Sequence, residues 1–333
     1  MGGECPKILK VTGIAVFSGG LDSILAVKVV GEQNIEVQGV TFETPFFSAA
    51  RARMAAGRIG LPLTAIDITE EHLEMLKGPR YGYGKNMNPC IDCHTLMFKR
   101  AGLMMEEVGA DFIFTGEVLG QRPMSQGKQS LQLVAKNSGY GDLILRPLSA
   151  RLLPETLPER EGKVDRERLL ALQGRGRKAQ MELARQYGID DYAVPAGGCL
   201  LTDPMFSKRL KDLFVHQPGF RVRDIELLKY GRHFRLSDTL RAIVGRKRSD
   251  NAAIRRLAED ADSMLHVADF PGPTVLVPYG GDEPARRKAA SLCILYSDAP
   301  NDREAVVTCR QNRIETSIKA MAADPEEVRQ WIL

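Results

Sequence analysis

The sequence predicts an α/β protein with two domains, a doubly wound parallel sheet followed by a smaller α+β domain. Three observations lead to this prediction. Short apolar, β-branched segments alternate with helix-forming segments through the first part of the chain. The glycine-rich hexad SGGLDS lies between the first predicted strand and the first predicted helix. The last third of the chain is more basic and has a different order of elements.

The first domain is predicted from its alternation of strands and helices. Apolar runs predict strands at 12–17, 35–42, 63–68 and 111–117. Between and after them, helical patterns occupy 24–30, 45–59, a segment beginning at Thr69, and 94–108. Strands that alternate with helices at this spacing favour a parallel sheet covered on both faces.

The composition changes after residue 150, which places the second domain. Helices are predicted at 165–173, 177–187 and 206–215, and the domain boundary at HQPGF (216–220). This gives domains of 1–215 and 216–333. The second domain has predicted strands at 232–236, 241–245, 274–278 and 305–310, and helices at 250–260 and 284–296.

The small excess of positive charge is unevenly distributed along the chain. The 333 residues carry 46 Lys and Arg against 42 Asp and Glu. Residues 1–204 hold 24 basic and 24 acidic side chains, whereas residues 205–333 hold 22 and 18. Between Lys208 and Arg256 there are 14 basic and five acidic residues. A local field of this sign attracts polyanions, so a nucleic acid partner is expected for the last third.

The sequence also indicates the cellular compartment of the protein. No apolar run has the length of a membrane span, and the first ten residues lack the apolar region of a signal peptide. Six cysteines are too sparse for a disulfide scaffold. We therefore expect a cytoplasmic protein without a membrane partner. The sequence does not predict an oligomeric state.

The hexad SGGLDS has the features of a phosphate-binding loop. Its glycines allow the backbone to approach a ligand, and the following helix directs free N–H groups at an anion. Asp22 would repel phosphate unless Mg²⁺ lies between them. The hexad is neither a Walker A loop nor a G-x-G-x-x-G motif. The candidate nucleotide-binding residues are Ser18, Gly19, Gly20, Leu21, Asp22 and Ser23.

Three cysteines are candidates for chemistry. Cys90 and Cys93 form a C-x-x-C at the start of a predicted helix, and Cys199 follows in PAGGC. Three thiolates can hold three irons of a [4Fe–4S] cluster and leave the fourth iron open. The alternative needs no metal, because one thiol can carry a persulfide that a second thiol resolves. The remaining cysteines are expected in a terminal segment or in the core: Cys5, Cys293 and Cys309.

The hexad resembles the PP-loop of the ATP pyrophosphatases, which cleave ATP between its α and β phosphates. The cysteine layout is similar to that of the PP-loop tRNA thiolases, over about residues 10–205. This resemblance implies ATP and Mg²⁺ as cofactors and catalytic roles for Cys199, Cys90 and Asp22. It places Gly116, in GEVLGQRPMSQ, beside the adenosine. Cys93 matches the branch of that family in which a C-x-x-C and a distal cysteine ligate an iron–sulfur cluster. In this chain the resemblance implies Cys90, Cys93 and Cys199 as the ligands.

The basic segment 231–251 interleaves arginines with apolar residues, which suits phosphate binding and base stacking. Residues 225–333 resemble the RNA-binding domain of the NFACT proteins in the order of their motifs, including IVGRKRSDNAAIRRLA and DSMLHVADFPGPTVLVP. The candidate RNA-binding residues are Arg232, Arg235, Arg246, Lys247 and Arg248.

Together these features predict an ATP-dependent RNA sulfurtransferase, a tRNA thiouridylase of the ATP pyrophosphatase type. It would adenylate a uridine carbonyl, release pyrophosphate and install sulfur from an external donor. Two alternatives stay open. One is an RNA- or ribosome-binding adaptor that binds ATP without turnover, and the other is a small-molecule PP-loop ligase.

Overall fold

The computed structural model describes residues 10–192 and 199–333, which form two compact units divided between Thr202 and Asp203. The first unit contains a parallel sheet with helices, and the second contains an antiparallel sheet. The predicted fold class is therefore confirmed. No helix in the described part of the chain is long and apolar enough to cross a membrane.

The sheet of the first unit has five parallel strands. They are β1 (Thr12–Val16), β2 (Glu36–Glu43), β3 (Leu63–Asp67), β4 (Phe112–Thr115) and β5 (Ile144–Leu145). The helices are α1 (Leu21–Gly31), α2 (Ala50–Ile59), α3 (Thr69–Lys77), α4 (Cys90–Val108), α5 (Lys128–Ser138), α6 (Leu157–Arg160) and α7 (Lys178–Gln186). The strand order is β3-β2-β1-β4-β5, so the chain runs outward from β1 in both directions.

Successive residues of β1 pack into different cores, as expected for a sheet covered on both faces. Ile14 joins a cluster with Phe98 of α4 and Val134 of α5. Ala15 joins another with Leu25 of α1 and Ala184 of α7. The doubly wound arrangement therefore follows from the continuous apolar character of the central strand.

The helix predicted at 165–173 is wrong. Only Arg166–Arg168 form one short 3₁₀ turn, which the carboxylate of Asp165 caps by accepting from the backbone N–H of Glu167. Beyond it, the N–H groups of Leu170 and Leu172 donate to the carbonyls of Pro147 and Leu148. The backbone therefore runs extended along a neighbouring segment, and this pairing overrides the local helix preference.

The second unit has a six-stranded antiparallel sheet. Its strands are β6 (Arg232–Arg235), β7 (Arg241–Val244), β8 (Ser263–Val267), β9 (Val275–Val277), β10 (Ala305–Gln311) and β11 (Ile314–Ala320), and its helices are α8 (Pro204–His216), α9 (Val222–Leu227), α10 (Arg248–Leu257), α11 (Glu283–Leu295) and α12 (Pro325–Trp331). The order is β11-β10-β8-β9-β7-β6. Val244 packs in one core with Ala289 of α11, whereas Ile243 packs in another with Ile254 of α10.

The two units divide before α8, whereas the sequence placed the boundary after this helix. An ion pair and hydrogen bonds attach α8 to the second unit. Asp212 forms an ion pair with Arg235 of β6. Arg209 donates to the carbonyls of Leu228 and Gly231 at 3.0 and 3.2 Å. The helix thus supplies partners for residues near the start of the antiparallel sheet.

His72 lies buried in α3 between two phenylalanine rings. The ring centroids of Phe46 and Phe47 lie 5.4 and 5.5 Å from that of the imidazole. Neither ring nitrogen of His72 has a hydrogen-bond partner among the described residues. Burial lowers the pKa of His72 from 6.5 to about 4. The folded protein therefore holds this imidazole neutral.

We expect acid to destabilise the first unit through His72. Its folded-state pKa lies below the unfolded value, so stability is complete above pH 6.5 and falls as the pH drops towards 4. At pH 5.5 the loss is about 1.4 kcal/mol. Hydrogen exchange of β1 and β2 peptides, corrected for intrinsic rates, should lose about tenfold protection between pH 7.5 and 5.5. His72→Leu should lose less, and an equal loss in both proteins would contradict this assignment.

Candidate active site

The candidate site lies at the carboxyl edge of the parallel sheet, where β1 and β4 end side by side. The chain leaves β1 towards β2 on one side, and β4 lies on the other, so a crevice opens between the two strand ends. Ligands of open α/β sheets bind at such switch points. The hexad 18–23 follows β1, and Gly116 and Glu117 follow β4.

The phosphate loop is shaped by close backbone contacts. Gly19 has a φ of +70°, and a Cβ there would lie 2.6 Å from the carbonyl oxygen of Arg51. The hydroxyl of Ser23 donates to the carbonyl of Gly20 at 2.8 Å, and the N–H of Gly20 donates to Ser18 Oγ at 3.3 Å. Within the described residues no side chain caps α1. Its first N–H groups are therefore available to an anion.

Gly116 packs directly on the first turn of α1. A Cβ at this position would lie 2.5 Å from the carbonyl carbon and oxygen of Asp22 and from the nitrogen of Ser23. These are backbone atoms, so any side chain at residue 116 would push the phosphate loop away from β4. The geometry gives Gly116 a packing role, and its proximity to adenosine stays a prediction.

Asp22 is held at one carboxylate oxygen and unpartnered at the other. Its Oδ2 accepts from Gln121 Nε2 at 2.7 Å and from an Arg177 guanidinium nitrogen at 3.1 Å. Gln121 in turn accepts from the buried Gln180 at 3.0 Å. Asp22 Oδ1 is buried and has no hydrogen-bond partner among the described residues. A carboxylate oxygen left open in this way fits Mg²⁺, which prefers hard oxygen ligands.

Cys199 is brought to the other two candidate thiols by contacts of its flanking residues. The N–H of Leu200 donates to the carbonyl of Phe46, just beyond β2, at 3.1 Å. The amide of Asn86 donates to the carbonyl of Thr202 at 2.7 Å. Segments more than a hundred residues apart in sequence thus meet at the start of α4. Residues 193–198, which precede Cys199, and the terminal Cys5 lie outside the described residues.

The thiols influence one another electrostatically. Burial raises the pKa of Cys93 well above its ordinary value, and the charges of Cys199, Cys90 and Asp92 raise it further. Burial also raises the pKa of Cys199 to about 11, with a further contribution from Cys90. In this state Cys93 and Cys199 are protonated at neutral pH. Cys90 Sγ accepts from Asn88 Nδ2 at 3.2 Å.

The three predicted cluster ligands, Cys90, Cys93 and Cys199, all lie in the described part of the chain. Within residues 10–192 and 199–333, no three His, Cys, Asp or Glu side chains are placed to hold a metal ion. Metal binding displaces thiol protons, so the protonation of Cys93 and Cys199 in the absence of a metal does not bear on ligation. Ligation of a cluster by Cys90, Cys93 and Cys199 stays a prediction.

A buried carboxylate, Glu117, connects α4 to the end of β5. Because α4 begins with Cys90 and Cys93, it is here called the cysteine helix. Its Oε1 lies 2.9 Å from His94 Nδ1, and its Oε2 accepts from Arg146 Nε at 3.0 Å. Burial by itself raises the pKa of Glu117, but Arg146 and His94 outweigh it and hold the pKa below its usual value. The ionised carboxylate fixes where the N-terminal turn of α4 lies relative to β4.

Several residues of this site were missed in the sequence. Glu117 and Gln121 lie in the segment that yielded Gly116, so a residue-by-residue reading of that segment could have found them. Arg146, Arg177 and Gln180 carry no local signal, because their roles depend on tertiary contacts. Cys293 and Cys309 are buried, which confirms their assignment to the core.

Two of the predicted RNA-binding arginines are engaged within the second unit. The guanidinium of Arg232 lies 5.0 Å from the ring centroid of Tyr296. Arg235 pairs with Asp212, with its Nε at 3.2 Å from the carboxylate. The two arginines are three positions apart on β6, so they point to opposite faces of the sheet. They do not form the single basic face expected from alternation.

The other three predicted residues lie together at the start of α10. Arg246 is paired with Asp250 at 3.2 Å but remains 47% exposed. Lys247 and Arg248 are exposed and have no ion pair in the described part of the chain. Their charges are therefore available to a polyanion, unlike that of Arg235.

Two family models match the chain. Residues 9–151 match the model described as thiamine biosynthesis protein (ThiI), and residues 231–332 match the NFACT protein RNA binding domain. These matches agree with the PP-loop and NFACT resemblances, and each covers less than half of the chain.

Curated relatives match part of the chain. A tRNA-specific 2-thiouridylase MnmA from Sulfurimonas denitrificans is 34% identical over 112 residues, 31% of this chain and 33% of that protein. MnmA from Marinobacter nauticus is 26% identical over 228 residues, 62% of this chain and 54% of that protein. The chain thus spans a third to a half of these relatives.

Among solved structures, a predicted subunit of tRNA methyltransferase from Methanocaldococcus jannaschii is similar. It has a TM-score of 0.35 and 14% identity, over 53% of this chain and 76% of that one.

We expect Cys199 to alkylate slowly at neutral pH, because its raised pKa leaves little thiolate. Rates of iodoacetamide labelling, resolved by residue with mass spectrometry, should still rise between pH 9 and 11, following the pKa of about 11. A free cysteine peptide, with its lower pKa, should reach its plateau earlier. A plateau for Cys199 below pH 9 would contradict the burial seen here.

Proposed function

We propose that the protein is an ATP-dependent RNA sulfurtransferase that acts on a uridine of tRNA. The ThiI and MnmA matches support this reaction class for the first unit, and the NFACT match supports an RNA partner for the second. The observation that carries the proposal is the convergence of three cysteines on the carboxyl edge that also presents the phosphate loop.

In the proposed first step, the uridine carbonyl oxygen attacks the α phosphate of ATP and pyrophosphate leaves. The free N–H groups at the start of α1 and the hydroxyls of Ser18 and Ser23 would bind phosphate oxygens. Asp22 would hold Mg²⁺ through its open oxygen, and the cation would neutralise phosphate charge. Positioning and charge neutralisation account for most of the rate of such a step.

In the proposed second step, a persulfide on Cys199, loaded by an external donor, displaces AMP from the base. Its terminal sulfur forms the bond to carbon, which leaves the base joined to Cys199 through a disulfide. The Cys90 thiolate then attacks Cys199 Sγ, forms the Cys90–Cys199 disulfide and releases the thiolated base. An external thiol reductant restores both thiols. This route needs no bound metal, and measurement of iron and acid-labile sulfide in anaerobic protein tests the cluster alternative.

The proposal predicts that pyrophosphate release depends on RNA and on Asp22. Asp22→Asn should lower the rate about a hundredfold or more, because a charged metal ligand becomes a neutral amide. The exposed Asp190→Asn serves as the matched control. Cys199→Ser should keep pyrophosphate release and lose the thiolated nucleoside, since the thiol acts after adenylation.

Three outcomes of that assay would contradict the proposal. RNA binding without pyrophosphate release indicates an adaptor. Release without RNA indicates a small-molecule ligase. Thiolation by Cys199→Ser at the wild-type rate rules out the persulfide route.

RNA affinity should depend on Lys247 and Arg248. Each charge reversal to Glu removes a phosphate contact, so affinity should fall and the slope of log affinity against log salt should shrink by about one per contact. Filter binding of tRNA between 50 and 300 mM salt measures this slope. The exposed Arg329→Glu on α12 is the charge-matched control. Equal slopes for all these proteins would place the RNA elsewhere.

A further inference from the structure

The loop between α3 and α4 has a composition unlike the rest of the first unit. Residues 78–89, here called the tyrosine loop, read GPRYGYGKNMNP and contain no acidic residue. Arg80 and Lys85 supply positive charge, and Tyr81 and Tyr83 supply aromatic rings. Since the first 204 residues are neutral as a whole, this is a local concentration of features that bind nucleic acid.

Hydrogen bonds hold the tyrosine loop in a defined shape. The N–H of Gly84 donates to the carbonyl of Asn88 at 3.0 Å, and the N–H of Asn86 donates to Asn88 Oδ1 at 3.1 Å. Asp92 of α4 accepts from the N–H of Arg80 at 3.1 Å. A Cβ on Gly84 would lie 2.5 Å from Asn88 Nδ2, so a larger residue there would have to displace the Asn88 side chain.

The tyrosine loop is attached to both cysteine segments. Asn88 contacts Cys90 Sγ at 3.2 Å, and Asn86 bonds to the carbonyl of Thr202, three residues after Cys199. A nucleotide held on this loop therefore lies beside the groups that would transfer sulfur.

The loop presents an oriented aromatic ring to solvent. Tyr83 is 41% exposed, and its hydroxyl donates to the carbonyl of Leu76 at 2.6 Å, which fixes the ring orientation. The guanidinium of Arg80 lies 5.5 Å from the ring centroid of Tyr81 and donates to Asn137 at 3.2 Å. Lys85 is exposed and has no ion pair in the described residues. Contacts within the unit therefore position the Tyr83 ring and the Arg80 guanidinium, and the charge of Lys85 is exposed.

We propose that the tyrosine loop binds single-stranded RNA next to the modified nucleotide, with a base stacked on Tyr83 and phosphates near Arg80 and Lys85. The inference rests on the proposed function and extends it, because it places an RNA contact in the catalytic unit itself. Every base can stack on a tyrosine ring. Because the same loop contacts Cys90 through Asn88, a base stacked on Tyr83 would restrict where the neighbouring nucleotide lies. RNA binding is then shared between the two units.

Photo-crosslinking of the full chain tests the contact directly. A tRNA transcript that contains 5-iodouridine in place of uridine is irradiated with the protein, and crosslinked peptides are identified by mass spectrometry. We expect a crosslink at Tyr83 that disappears in Tyr83→Leu. Crosslinks found only after Asp203 would overturn the proposal.

Kinetics provide the second measurement. Tyr83→Leu should raise KM for tRNA in pyrophosphate release about tenfold, whereas Tyr83→Phe, which keeps the ring, should stay within about twofold. KM for ATP should not change in either variant. Lys85→Glu should weaken tRNA binding more than Lys10→Glu, whose side chain is 64% exposed before β1 at the opposite edge of the sheet.

The two proposals fail in different ways. If the wild-type protein releases pyrophosphate with tRNA and every Tyr83 variant has the wild-type KM for tRNA, only the loop contact is overturned. Wild-type protein with neither a crosslink nor RNA-dependent release overturns both. A changed KM for ATP in Tyr83→Leu would indicate a structural defect, and the crosslink of the wild-type protein then decides. A crosslink at Tyr83 supports the contact, and its absence overturns it.

Discussion

The close contact between Gly116 and the first turn of α1 determines the geometry of the candidate site in the first unit. No atom larger than hydrogen fits on the α-carbon of residue 116, since the backbone of Asp22 and Ser23 lies within 2.5 Å of the Cβ position. The end of β4 is thereby held against the phosphate loop. Glu117 follows at once and binds His94 of the cysteine helix. Because residue 116 is a glycine, β4 and the Glu117 contact hold the SGGLDS loop and the start of α4 close together.

The sequence predicted the architecture better than the network that completes the site. The four main strands and the SGGLDS loop were recognisable because apolar runs and glycine spacing are local properties. Edge elements such as β5, with two residues, and β11, with mostly exposed ones, carry weak patterns. Arg177 and Gln180 could not be identified because their importance comes from Asp22, more than 150 residues earlier. Long-range pairing of this kind leaves no periodic signal.

Counting charge along the chain located a basic region but could not separate free cations from paired ones. Of the arginines in 231–251, Arg235 is neutralised by Asp212, and Arg241 is buried beside Asp224. A buried guanidinium with an acidic partner serves folding, since its charge is screened from any ligand. Only a structure distinguishes these from Lys247 and Arg248. The usable positive surface is therefore smaller and more localised than the sequence count suggests.

The raised pKa values of Cys93 and Cys199 also bear on how these thiols resist oxidation. Peroxides oxidise thiolates far faster than thiols, and over-oxidation to the sulfinic acid cannot be reversed by ordinary reductants. A site that keeps two half-buried thiols protonated presents little thiolate to such oxidants. Protonation thus protects both sulfurs from an oxidation that ordinary reductants do not reverse.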